Sequence, residues 1–217
     1  MTPGNMRLDR IRGGMVGAVL GDCLGAPVEC KYWHGIDRKI VRERFDVYMD
    51  NGSKQNNGKS IMNYTDDTAM ARQVALSLID KKGLDIPDMA QRFVDEYTKE
   101  TLRGYGSSVG EVFRKLSKTN FESEETVFKP ASEQFDGSGS RGNGAAMRAH
   151  PVGLFSQNQT QVEEIATKQA RLTHSNNEGV AGSILQATGM SQYVHRLTYF
   201  SKIIKLRDTE PNYKILS

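Results

Sequence analysis

The segment YTDDTAM, Tyr64 to Met70, sets two carboxylates side by side between two threonines, directly before an apolar-patterned run. The pattern has two readings. Thr65 can cap a helix, with Asp66 and Asp67 in a first turn facing the positive helix end. The same oxygens also suit a hard cation. Magnesium takes one or two carboxylates and fills its shell with waters and substrate oxygens. Adjacent carboxylates repel, and a divalent cation removes that cost. The hydroxyl of Thr65 adds a neutral oxygen.

A second cluster lies upstream, in GAVLGDCLGAPVE. Asp22 sits on an otherwise apolar, glycine-studded helix, so it must pair, bind metal or face solvent. Glu29 follows just after Pro27 breaks that helix. A carboxylate on such a loop can swing, as a gating group or general base should, or it is a plain surface glutamate.

Two further segments could hold an anion. In DGSGSRGNGAAMR, Asp136 to Arg148, four glycines fall within eight residues before a helix. Exposed backbone N–H groups at a helix start suit phosphates, although a flexible loop has the same composition. The spacing is neither a Walker motif nor a G-x-G-x-x-G after a strand. Phe135 borders this loop and could stack on a base. His174, in LTHSNNEG, ends a helix. It can satisfy helix carbonyls or donate to a phosphate or ribose oxygen.

Helices must position these groups. Leu8, Ile11, Met15, Ala18 and Val19 recur at the 3.6-residue period, predicting a helix over 7–24. Met70, Val74, Ala75, Leu78 and Ile79 predict another over 66–80. Pro87 suits a first helical position ahead of the stripe Ala90, Phe93, Val94 and Tyr97. Val109, Val112, Phe113 and Leu116 mark a fourth helix. Asp37 to Ser60 reads as a polar surface loop, and a second loop of mixed composition runs to Gly144. Residues 145–154 look helical but interrupted at Pro151. TQVE, Thr160 to Glu163, reads as a capping box. Asn177 can cap a last helix, with Val180, Ile184 and Leu185 inward. No segment alternates with period two for long, so the class is all-α, with about seven short helices.

The bulk composition agrees with that class. The chain has 217 residues, 37% hydrophobic and 25% charged, as in ordinary globular domains. A chain this long buries roughly 70% of its unfolded surface and needs no staple. No apolar run reaches membrane-spanning length, and the N-terminus lacks a signal peptide's apolar stretch. Cys23 and Cys30 fit no zinc pattern and point to a reducing compartment. The net charge of +3 resides in residues 191–217. That basic tail reads as a solvated terminus rather than a nucleic-acid contact.

Taken together, GAVLGDCLGAPVE, YTDDTAMA, GSRGNGAAMR and LTH resemble the magnesium-dependent ADP-ribosylglycohydrolases of the dinitrogenase-reductase-activating type. The stretch DMAQRFVDEYTKETLRGYGSSVGEVFRKL looks most like the branch that removes ADP-ribose from serine and degrades poly(ADP-ribose). The likeness spans residues 8–187. It implies an orthogonal multi-helix bundle with two magnesium ions in a central cleft. By that resemblance Thr65, Asp66, Asp67 and Glu29 would be metal ligands, with Glu29 and Asp66 catalytic. Ser138, Gly139, Ser140, Arg141, Gly142, Asn143 and Gly144 would hold the diphosphate and adenosine. His174 would touch the substrate and Phe135 would lie against the adenine. The implied reaction is hydrolysis at the anomeric carbon of the distal ribose. The substrates would be serine-ADP-ribosylated proteins, poly(ADP-ribose) or O-acetyl-ADP-ribose. A place in the DNA damage response, in cytoplasm and nucleus, is the expectation.

Two departures stand out. Arg141 replaces an aromatic of that branch, and a guanidinium also stacks on bases. The later D-x-D-T motif of the family, which completes the metal site, has no match here; RDTEP, Arg207 to Pro211, is a chance D-T. From Thr188 the pattern dissolves. The expectation is an N-terminal part of the family domain over 1–190 and a divergent tail over 191–217, lacking the C-terminal helices. The second magnesium site would be incomplete, and the chain monomeric unless a second chain completes it. Two alternatives follow: a non-catalytic ADP-ribose-binding isoform, or, on the basic tail alone, a nucleic-acid-binding helical protein.

Overall fold

The computed structural model describes residues 3–29, 38–55 and 62–209. Cys30 and the last residues of the basic tail, 210–217, lie outside them. The described residues form ten helical segments and no strand. They are α1 (Pro3–Gly25), α2 (Arg38–Gln55), α3 (Asp66–Asp80), α4 (Ile86–Lys99) and α5 (Ser107–Leu116). After these come α6 (Glu124–Ser132), α7 (Gly144–Met147), α8 (His150–Phe155), α9 (Gln159–Arg171) and α10 (Asn177–Thr209). The all-α expectation holds.

Local chemistry sets the helix starts. Thr65 caps α3 by accepting from the Asp67 N–H at 3.3 Å. Asp85 caps α4 by accepting from Asp88 N at 2.9 Å, with Pro87 in the first turn. Ser123 caps α6 by accepting from Thr126 N at 3.2 Å. The capping box of α9 lies two residues earlier than TQVE suggests. Asn158 accepts from Gln161 N at 3.0 Å, and Gln161 Oε1 accepts from Gln157 N at 2.7 Å.

The core joins these helices through Met70, Leu78, Met89, Phe93, Phe113 and Leu116, all essentially inaccessible. α4 packs on α3, α5, α6 and α9, and α10 packs on α7, α8 and α9. The α8–α10 crossing depends on Gly153. A Cβ there would collide with the Ala187 carbonyl and come within 2.7 Å of Ser191 N. Tyr97, Tyr105 and Phe113 form an aromatic cluster with the Tyr97 ring centre 5.0 Å from each of the others.

Four expectations are corrected. Where a surface loop is expected over Asp37 to Ser60, the described part, 38–55, is helical. Among its described side chains the half-buried ones are Val41, Phe45 and Met49, which recur at i, i+4. The mixed loop before Gly144 contains α6, masked in sequence by Pro130. That proline sits inside the helix and leaves the Thr126 carbonyl without the N–H a helix would supply. Pro151 does not interrupt a helix; it starts α8, and the break falls before it, between α7 and α8. Leu185 and Ile79 point outward, 75% and 63% exposed.

Candidate functional site

The start of α3 is built from two directions. Asp22 on α1 accepts four hydrogen bonds from it. Thr65 N donates to Asp22 Oδ2 at 3.0 Å and Oδ1 at 3.1 Å, Thr65 Oγ1 donates to Oδ1 at 2.7 Å, and Thr68 N donates to Oδ2 at 3.1 Å. Asp22 is thus a paired helical aspartate, a negative charge on the positive end of α3. From the α4–α5 connection, the Arg103 carbonyl accepts from Asp66 N at 2.9 Å. The Arg103 guanidinium lies 4.5 Å from the Tyr64 ring centre and donates to the Tyr64 carbonyl at 3.2 Å. Gly104, at φ +102°, closes on the Asp66 carboxylate; a Cβ there would lie 2.9 Å from Oδ1.

Asp66 and Asp67 consequently stand in a confined, negative place. Burial pushes the Asp66 carboxyl up to about 7, with help from Asp67 and then Glu29 and Asp22. Burial also raises Asp67 to about 6, with Asp22 and Glu29 adding to it and the hydrogen bond to Thr65 opposing. Glu29 follows α1 in a turn and is exposed.

The facing wall is the glycine segment after α6. Gly139, at φ +71°, packs against Ser175 and Asn176, where no side chain fits. Ser140 Oγ accepts from Gly142 N at 3.2 Å. The His174 ring lies across Gly142–Gly144; a Cβ on Gly144 would be 2.8 Å from its Cε1. Its Nδ1 pairs with Thr173 Oγ1 at 2.7 Å rather than with helix carbonyls. Burial, then the positive charge of Arg148, drives the imidazole pKa down to about 3, so the ring is neutral. α7 itself is a single turn, capped at Asn143 without a side-chain bond.

Between the walls lies a cavity of about 200 Å³. It is lined by Glu29, Asp66, Asp67, Ser140, Gly142, Asn143, Gly144 and His174, all singled out in the sequence. The others lie outside this lining. Thr65 borders a neighbouring groove with Glu29, Tyr64 and Arg103. Phe135, in the left-handed region at φ +52°, is 58% exposed. Ser138 is exposed and its Oγ donates to the Phe135 carbonyl at 2.8 Å. Arg141 is exposed with its Nε 3.9 Å from Glu178.

The sequence reading missed several lining residues. Tyr105 and Gln134 carry the two buried side-chain polar atoms without a partner among the described residues, Tyr105 Oη and Gln134 Oε1. Both residues line the cavity. An orphaned pair of this kind is what a ligand or ordered water satisfies. Arg148, 1% exposed, lines it as well. Its guanidinium lies 4.5 Å from the Phe93 ring centre. Its one sequence signal is a charge inside the largely apolar run GAAMRAHPVGL.

The donor set suits a hard cation in part. The Thr65 hydroxyl gives its hydrogen to Asp22, leaving oxygen lone pairs, and the Asp67 charge raises the proton affinity of Asp66. Among the described residues no three His, Cys, Asp or Glu side chains converge as a ready cage. Magnesium needs no such cage when waters and ligand oxygens complete its shell.

A sequence model described as ADP-ribosylglycohydrolase matches residues 3–210. ADP-ribosylhydrolase ARH3 of Xenopus tropicalis is 41% identical over 180 residues, which are 83% of this chain and 49% of that protein. The Homo sapiens protein of the same name is 41% identical, covering 83% of this chain and 48% of its own length. The chain spans about half the length of these curated relatives. A solved structure titled ADP-ribosylglycohydrolase-related protein complex superposes with a TM-score of 0.63 at 25% identity, over 88% of this chain and 58% of that one.

Proposed function

The chain belongs to the ADP-ribosylglycohydrolase family, and from that premise we propose that its cavity binds ADP-ribose and serves hydrolysis of O-linked ADP-ribose. Serine-ADP-ribosylated proteins, poly(ADP-ribose) and O-acetyl-ADP-ribose are the substrate class, as for the serine-directed branch. The observation that carries the reading is the pairing of walls. Carboxylates on one side meet a glycine turn with a neutral histidine on the other, and Tyr105 and Gln134 complete the lining.

In this reading the glycine turn admits the diphosphate close to its backbone, and His174 donates to a ligand oxygen. Phe135 and Arg141, both exposed beside the turn, offer a ring and a guanidinium plane to the adenine. Thr65, Asp66, Asp67 and Glu29 would hold magnesium. Bound there, the ion would orient ribose hydroxyls and polarise a water. Glu29, exposed beside the cavity, would take a proton from the attacking water and return it to the departing serine oxygen, so that the anomeric carbon exchanges its bond to serine for one to the water oxygen. Gly104 and Asp22 keep the carboxylates in place.

A second reading is binding without turnover. It is favoured by the partial gathering of the donors: Asp66 and Asp67 line the cavity, whereas Thr65 borders the neighbouring groove. One experiment separates the two. The chain is incubated with a serine-ADP-ribosylated peptide and magnesium, and peptide mass is followed beside a full-length ARH3. Release that EDTA stops supports hydrolysis. ADP-ribose binding without release supports the second reading, and neither binding nor release refutes both.

A further inference from the structure

Thr173 is wholly buried, and its hydroxyl has two partners. Arg148 Nη2 donates to Oγ1 at 2.8 Å. A guanidinium carries donors only, so the direction of that bond is fixed. Arg148 cannot turn away. Its Nε donates to Gln169 Oε1 at 2.7 Å and its Nη2 to the Gln169 carbonyl at 2.8 Å. Gln169 is itself tied down, donating to the Ala145 carbonyl at 2.9 Å and to Ser183 Oγ at 2.6 Å.

The second partner of Thr173 Oγ1 is His174 Nδ1, 2.7 Å away. A hydroxyl has one hydrogen. Were Nδ1 protonated, Thr173 would accept from both neighbours and its own hydrogen would be buried without an acceptor among the described residues. With Nδ1 bare, Thr173 donates to it and the chain of bonds closes. The ring hydrogen is then on Nε2. Nε2 has no protein hydrogen-bond partner among the described residues, and it faces the glycine turn. A Cβ on Gly142 or Gly144 would stand 3.3 or 3.1 Å from it.

We propose that Arg148 and Thr173 are positioning residues that lock His174 in its Nε2–H tautomer, so that the cavity is offered a neutral N–H donor for a ligand oxygen. Which oxygen it meets, a phosphate of ADP-ribose, rests on the reading of the cavity given above; the tautomer does not. The arrangement discriminates by hydrogen bonding rather than by charge. It recognises an acceptor at that position without demanding an anion.

The test is ¹⁵N NMR of the full chain without ligand, with the His174 ring assigned by loss of its signals in His174→Gln. The expected result is a protonated Nε2 and a bare Nδ1 throughout pH 5 to 8. Thr173→Val, which keeps the shape and removes the hydroxyl, should give a tautomer mixture and roughly tenfold weaker ADP-ribose binding by calorimetry. Thr173→Ser should restore both. A protonated Nδ1 in the unaltered chain overturns the proposal, and this needs no variant to fold. Unchanged affinity in Thr173→Val overturns the positioning role. The expected tautomer in a chain that binds no ADP-ribose refutes the ligand reading and leaves the lock standing.

Discussion

Thr65 hangs from Asp22. One carboxylate on α1 takes both the backbone N–H and the hydroxyl of the residue that caps α3, with the hydroxyl at 2.7 Å. The cap is therefore shared: Thr65 serves Asp67 N, and Asp22 fixes Thr65. Asp22→Asn keeps the size but loses the charge facing the helix start, and it turns an acceptor into a donor. It should lower stability by about 2 kcal/mol in urea titrations. Magnesium-dependent ADP-ribose binding should weaken as well, because the Asp66–Asp67 geometry is set by this turn. An Asp22→Asn chain of unaltered stability would show that α3 keeps its start without α1.

Gly144 is the narrow point between the turn and His174. A Cβ at 2.8 Å from the imidazole Cε1 forces the ring to move. Gly144→Ala should keep the helix content by circular dichroism, since alanine favours a helix start of this kind. ADP-ribose affinity should nevertheless fall at least tenfold, about 1.4 kcal/mol, as the ring and its donor leave their place. Retained affinity would show that His174 does not meet the ligand.

Features set by neighbours in sequence were legible, and those set across the fold were not. The Thr65 cap and Pro87 start are local, and both stand in the structure as read. The apolar face of α3 was legible except at Ile79, which is left exposed at the outer edge of the stripe among the described residues. Asp22 was ambiguous because its partners are 43 and 46 positions away. Arg148 and Thr173 escaped notice because a buried arginine bonded to a helix end has no periodic signature. Its acceptors on Gln169 and Thr173 lie more than twenty residues downstream. The carboxylates and the glycine turn were each visible in sequence, but only the packing of α3 against α7 sets them across one cavity.

Arg148 is a buried cation, 1% exposed, with no carboxylate ion pair among the described residues. Burial lowers its pKa to about 9, which leaves it charged at neutral pH. It is held instead by neutral acceptors and by the Phe93 face. Arg148→Met preserves much of the volume but leaves those acceptors without a donor. The expected loss is roughly 3 kcal/mol, about one for each bond, measured by denaturant unfolding. Removing an unpaired buried charge works in the opposite direction. A gain in stability would therefore mean that its desolvation outweighs the three bonds.

Asp66 makes stability depend on pH in a direction opposite to most carboxylates. Its folded pKa of about 7 lies above the ordinary value of 3.8, so between those values the folded chain holds a proton that the unfolded chain has lost. Stability then falls as pH rises through that window, by up to about 1.4 kcal/mol per unit for this one group. His174 acts in the other sense, because its folded pKa of about 3 lies below its ordinary 6.5 and stability rises with pH between them. The contribution of Asp66 is therefore isolated by comparing the unaltered chain with Asp66→Asn rather than from one profile. In EDTA the two should be equally stable near pH 4, and the variant should be the more stable by a few kcal/mol at pH 8. Magnesium should narrow that gap at pH 8. A cation bound at a hundredfold its dissociation constant stabilises the folded state by about 2.7 kcal/mol, and Asp66→Asn gives up a carboxylate it would use. Thermal unfolding at both pH values, with magnesium or EDTA, checks each part. A pH profile unchanged by the substitution would show that Asp66 does not carry the shifted proton. A magnesium response that survives in Asp66→Asn would place the ion elsewhere.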